Sequence, residues 1–155
     1  MKKAALVCAW LVLVGACDDV TADRIQQWKN TEKGPGKLEA AVKQGGLAPD
    51  LRAQAAVALI EIGRPEAVES AVAAMPDGDR QAFAAAAVPR YAEILNGPAG
   101  PHAVDARDAL FDLRLHAPPA EQRPIDVVLL PSLARELRAG RYAGGRQCLE
   151  QRSCA

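Results

Sequence analysis

Residues 50–67 carry the pattern that most restricts how this chain can fold. Leu51, Ala55, Leu59 and Ile62 recur at spacings of four, four and three, which puts them on one side of an α-helix, while Arg52, Gln54 and Glu61 fall off that line. Pro49 and Asp50 suit its opening and Gly63 its close. Pro65-Glu66-Ala67-Val68 restarts a helix at once, so two helices must meet across a very tight turn. Repeated along a chain, such a pair is the unit of a helical solenoid.

The same alternation of apolar spacing and breakers predicts the other elements. Thr21 caps a short helix with Ile25 and Trp28 on one side, and Lys33-Gly34-Pro35-Gly36 interrupts it. A first pair follows at 37–44 and 50–62, with Leu38, Ala41 and Val42 facing inward from its shorter member. A second pair occupies 65–75 and 79–95, joined by Pro76-Asp77-Gly78-Asp79; Ala67, Val68, Ala71, Val72 and Met75 face in from one helix, and Phe83, Ala86, Ala87, Tyr91, Ile94 and Leu95 from the other. Pro89 predicts a kink near 85–88. A third, less regular pair occupies 103–116 and 124–139, with Ala106, Leu110 and Leu113 inside the first helix and Ile125, Val128, Leu129, Leu133 and Leu137 inside the second. Pro118 and Pro119 separate the two helices, and Pro131 invites a bend. Half of the 155 residues are hydrophobic yet only 4% are aromatic, so alanine-lined helices must approach closely; a β-sandwich or barrel calls for more β-branched and aromatic side chains.

The fourteen residues Asp50–Gly63, DLRAQAAVALIEIG, resemble the second helix of a HEAT repeat, terminal glycine included. The resemblance implies an all-α, HEAT-like helical solenoid of two to three helix pairs over residues 37–140. It also implies that Asp50 and Arg52, at the family's acidic and basic positions, belong to a structural ladder between repeats. The 36 residues from Leu59 to Leu95 lie close to the roughly 40-residue period of such units. Residues 17–36 then read as a tether and capping helix, in which Trp28 covers the open end of the first repeat rather than dipping toward lipid. Residues 141–155 read as an irregular tail.

Met1-Lys2-Lys3 precedes eleven uncharged, mostly apolar residues, Ala4–Val14. Eleven is too few to span a bilayer, which takes roughly 20, but suits a secretory signal. Val14-Gly15-Ala16-Cys17 resembles the lipobox of bacterial lipoproteins, with valine where leucine is commoner. The resemblance implies removal of residues 1–16, lipidation of Cys17, and a protein anchored to an envelope membrane and facing the periplasm. By the same resemblance Asp18 weakly favours the inner membrane, with inner and outer membrane both left open. An ordinary signal peptidase would cut at the same bond. The mature chain would carry seventeen basic and nineteen acidic side chains, a net charge of −2. No basic excess points to nucleic acid as a partner.

The remaining cysteines, Cys148 and Cys154, pair most simply as a disulfide in an exported chain, which requires residues 149–153 to be non-helical. Free thiols, a redox module or metal ligation are the alternatives. For zinc, only His102 and His116 could complete the ligand set, at a spacing matching no familiar pattern, so no metal or other cofactor is expected. Asp105, Asp108 and Asp112 share a helix face and read as a solvated charged surface. Arg135, Arg138 and Arg141 open a C-terminal stretch, 135–155, of net charge +3, against −3 over residues 17–80, and are candidates for binding an acidic partner or an anionic surface. Ser70, Ser132 and Ser153 stand in no nucleophile motif. The reading is a non-catalytic interaction scaffold for another envelope protein; the alternatives are a subunit or accessory of an envelope enzyme and a thiol-redox module.

Overall fold

A computed structural model describes residues 19–97 and 100–138. Residues 1–18 and 139–155, which include the lipobox, Cys17, Arg141, Cys148 and Cys154, lie outside the described residues. The chain is all-α. Seven helices are described: α1 (Ala22–Trp28), α2 (Gly34–Lys43), α3 (Pro49–Glu61), α4 (Pro65–Ala73), α5 (Asp77–Asn96), α6 (Pro101–His116) and α7 (Pro119–Arg138). None among the described residues is long and apolar enough to cross a membrane.

The local chemistry explains most boundaries. Thr21 Oγ1 accepts from the Arg24 amide at 3.3 Å, capping α1. At the end of α3, Gly63 takes a positive φ of 73°. Its amide donates to the Ile60 carbonyl at 3.0 Å while that of Arg64 donates to Leu59 at 2.8 Å, the paired bonds of a Schellman turn. That turn lets α4 begin two residues later.

Two starts differ from expectation by three residues or more. α2 begins at Gly34 rather than Lys37, since Pro35 fits a first turn, where its missing N–H is not needed. Gly34 is also where backbones meet, because a Cβ there would lie 1.7 Å from the Trp28 carbonyl oxygen. α7 begins at Pro119 rather than Pro124 and runs through both Pro124 and Pro131, as α5 runs through Pro89. All three prolines are exposed, and the residues four positions back, Ala85, Ala120 and Val127, are exposed too, so water can take the carbonyls that lose a partner.

The helices pack as two rows. α2, α4 and α6 follow one another in contact along one row, and α1, α3, α5 and α7 along the other; α2 packs on α3 and α6 on α7 across the rows. α4 lies principally on α2, α3 and α6, and meets α5 chiefly around their shared turn. α3 is central, touching α1, α2, α4, α5 and α6. Consequently it buries not one stripe but nearly its whole circumference: Ala53, Ala55, Ala56, Ala58, Leu59 and Ile60 have no exposed surface. Arg52, expected off the apolar line, is buried with them. Four alanines let neighbours approach from several sides, which a helix of leucines would not permit. Ile25 and Trp28 are buried where α1 packs on α2 and α3, and Lys37 Nζ lies 5.4 Å from the Trp28 ring centroid. On α7, Ile125 and Leu129 are buried and Val128 is packed against the core, but Leu137, expected inside, is exposed.

Candidate functional site

Polar side chains on the second row serve first of all to close helix ends. Helix C-termini leave carbonyls without intrahelical donors. Arg52 Nε donates to the Val42 carbonyl at the end of α2 (2.9 Å), and Arg80 donates to Val72 (3.2 Å) and Met75 (2.6 Å) at the end of α4. Gln122 donates to Ala117 just past α6 (3.0 Å). Arg52 also reaches Asp79 on α5 at 3.4 Å and lies 6.0 Å from the Phe83 ring centroid, while its Nη2 is buried without a partner among the described residues. Asp50 accepts from Arg90 on α5 (2.6 Å) and from Gln54 (2.8 Å), and the Arg90 bond holds its carboxyl below the usual range. Asp50 and Arg52 therefore do not pair with each other; each binds a separate residue of α5. Arg80 and Asp79, which share this work, sit beside a turn signal in the sequence and carry no signal of their own.

A cleft of about 370 Å³ opens where the start of α5 faces the junction of α6 and α7, lined by Asp77, Arg80, Gln81, His116 and Glu121 among others. Its side chains are largely committed. Arg80 binds Asp77 (3.0 Å) and the His116 carbonyl (3.3 Å) besides the α4 carbonyls, and Gln81 donates to Glu121 (2.7 Å).

The acids of α6 occupy a second surface, facing α4. Asp108 is bonded to its neighbour Arg107 (3.1 Å). Asp112 has its carboxyl pushed up to about 6, first by burial and then by the charges of Glu69 and Asp108. Asp105 is raised for the same kinds of reason, partly offset by His102. Next to Asp112 in electrostatic reach is Tyr91, fully buried, whose hydroxyl has no partner among the described residues and whose ionisation is pushed up by burial and by that carboxylate. The acids are thus more than a solvated face: one of them is half-buried among like charges. No group of three or more His, Cys, Asp or Glu side chains among the described residues could hold a metal ion. His102 and His116 lie at opposite ends of α6, about 21 Å apart along its axis. Ser70 is exposed on α4 and Ser132 buried on α7, and neither bonds a histidine.

The third surface is the outer side of α7. Val127, Leu130 and Leu137 are exposed there, at 67%, 62% and 63%. With Arg123 and Ala134 they form a stripe spaced four, three, four and three. Of the arginines singled out by charge, Arg135 donates to the Leu95 carbonyl (2.7 Å) and Arg138 to Ala134 on its own helix (3.0 Å), and neither meets a carboxylate among the described residues. The acids of α7 are engaged elsewhere: Asp126 accepts from Arg114 (2.5 Å), Glu136 from Arg107 (2.5 Å) and Glu121 from Gln81. Reading Leu137 as core hid this surface from the sequence.

Comparison of the chain with protein-family models, curated proteins and solved structures gave no match.

Proposed function

We propose that this chain is a lipid-anchored envelope protein whose stacked helix pairs form a short HEAT-like solenoid and act as a non-catalytic scaffold for another envelope protein. The observation that carries the reading is the pair of helix rows, tied at each step by a polar side chain (Arg52, Arg80, Gln122) and ending on an α7 whose outer face is exposed among the described residues. Rows of this kind present extended surfaces rather than one enclosed pocket, which suits holding a macromolecule. The lipobox-like Val14-Gly15-Ala16-Cys17 supports attachment: several acyl chains on Cys17 hold a protein durably where one does so only marginally. Anchoring would confine scaffold and partner to one surface and raise their effective concentration.

Metabolic labelling with a palmitate analogue and fractionation test the anchor: label in the membrane fraction, lost with Cys17→Ser, is expected, and an unlabelled soluble protein refutes it. A photo-crosslinking residue at exposed Ala40 on α2 or Leu130 on α7, used in intact envelopes, tests the scaffold. One discrete adduct is expected; none from either position removes the scaffold reading.

A further inference from the structure

The second row keeps a register that shows what α7 leaves open. Counted from their first residues, α3, α5 and α7 place a bonding side chain fourth (Arg52, Arg80, Gln122) and a core residue seventh (Ala55, Phe83, Ile125) and eleventh (Leu59, Ala87, Leu129). α5 and α7 also share a proline at the thirteenth position, Pro89 and Pro131. The twelfth position is buried in the two helices that have a successor on the row, Ile60 in α3 and Val88 in α5, and exposed in α7, Leu130. The nineteenth repeats this: Leu95 is buried on α5, where Arg135 of α7 reaches its carbonyl, while Leu137 is exposed. At positions that are buried in its predecessors, α7 therefore presents apolar side chains, Leu130 and Leu137, with nothing upon them among the described residues.

The charge around that stripe selects the occupant. Arg123, Arg135 and Arg138 border it without a carboxylate partner among the described residues, while Asp126 and Glu136 are drawn to arginines of α6. Two such faces would repel one another, which disfavours a second copy of this chain. Residues 139–155 would bring Arg141, Arg146 and Arg152 against Glu150 alone, like charge to like. A membrane surface fits less well, because α7 stands at the end of the row away from α1, the helix next to the anchor.

Resting on the scaffold reading, we propose that the outer face of α7 docks an amphipathic helix of the partner, with a leucine-type stripe seated on Val127, Leu130 and Leu137 and acidic residues meeting Arg123, Arg135 and Arg138. The helix takes the place of the next member of the row, and its acids supply the charge that this face lacks.

The test uses the full chain and a fluorescent amphipathic peptide with leucines spaced three and four apart and glutamates on both flanks. Its control carries lysines in place of the glutamates. The glutamate peptide is expected to bind in preference to the control, and Leu130→Asp with Leu137→Asp to weaken it by at least about tenfold. The melting temperature should stay unchanged, since both side chains are exposed. Arg123→Glu with Arg138→Glu should reverse the preference in favour of the lysine peptide. Equal binding of both peptides overturns the proposal. So does binding to phosphatidylglycerol vesicles that the same leucine variants abolish, a dimer of the full chain that they dissociate, or a crosslink from position 130 into residues 139–155. An adduct from Ala40 with no peptide binding at α7 removes this assignment and leaves the scaffold standing; no adduct from either position removes the scaffold itself.

Discussion

Asp112 gives the most direct way to weigh electrostatics in this fold. Its carboxyl is held at about 6 against an ordinary 3.8, so the folded chain binds its proton more tightly than the unfolded chain does between roughly pH 4 and 6. The sign follows: below about pH 4 the group costs nothing, and as pH rises through 6 it removes stability. A shift of about 2 units corresponds to about 3 kcal/mol at 1.36 kcal/mol per unit, as an unscreened upper bound. The group is partly exposed, and solvent and salt weaken its repulsion from Glu69 and Asp108, which brings the expected cost to about 1 kcal/mol at neutral pH. Asp112→Asn removes the charge while nearly keeping the shape. Urea titrations of both proteins at pH 3.5, 5 and 7.5 should show no difference at the lowest pH and the variant more stable by about 1 kcal/mol at the highest, with the gap widening at low salt. For a domain of this size that gap is a rise of about 3–5 °C in Tm. A variant less stable than the parent at pH 7.5, or a difference that ignores pH, would refute the reasoning.

Three further substitutions probe separate supports. Gly34→Ala drives a methyl into the Trp28 carbonyl, a backbone atom that no rotamer can move; thermal melting should show a loss of about 2–3 kcal/mol, and an unchanged Tm would mean that α1 and α2 do not meet so closely. Arg52→Ala should cost about 3 kcal/mol by leaving a gap and an unpaired Val42 carbonyl, whereas Arg52→Met, which fills the space and removes the unpartnered Nη2, should cost about 1 kcal/mol in chemical denaturation. Asp50→Asn releases Arg90 at an exposed site. It should lower stability by less than about 1 kcal/mol at pH 7, and the difference should vanish as pH falls below the range where the lowered carboxyl ionises, opposite in direction to Asp112.

Periodic apolar spacing made the helices legible, because Leu38, Leu59, Phe83, Leu110 and Leu129 each recur with the helical period and each is buried. What escaped the sequence followed from neighbours rather than from period. A one-stripe template cannot describe α3, which five helices surround, so it left Arg52, which is buried, off the apolar line. Pro124 imitated a helix start because a proline at a first turn and one inside a helix on its solvent side are the same letter; only the exposure of Ala120, whose carbonyl loses a donor, separates them. Leu137 keeps the same relation to Leu130 as Leu95 keeps to Val88, so period alone assigns it to the core. Its exposure depends on whether another helix comes next, which no spacing records.

The polar side chains of the row bear on that last point independently of the apolar ones. Arg52 has two duties, binding a carbonyl of α2 and meeting Asp79 on the following α5, and Arg80 likewise binds α4 and reaches forward to the His116 carbonyl. Both need a long side chain with several donors. Gln122, in the same place on α7, binds Ala117 behind it and, among the described residues, reaches nothing ahead. A buried arginine at that position would need an acid on a further helix to offset its desolvation, and the neutral amide avoids the need. Among the described residues these forward polar contacts thus stop at α7 while the apolar register does not. A helix arriving on Leu130 and Leu137 would meet grease and rim arginines without a ladder to fix its register. Such a contact can form and part without unfolding either partner, as a docking surface requires and an internal repeat does not.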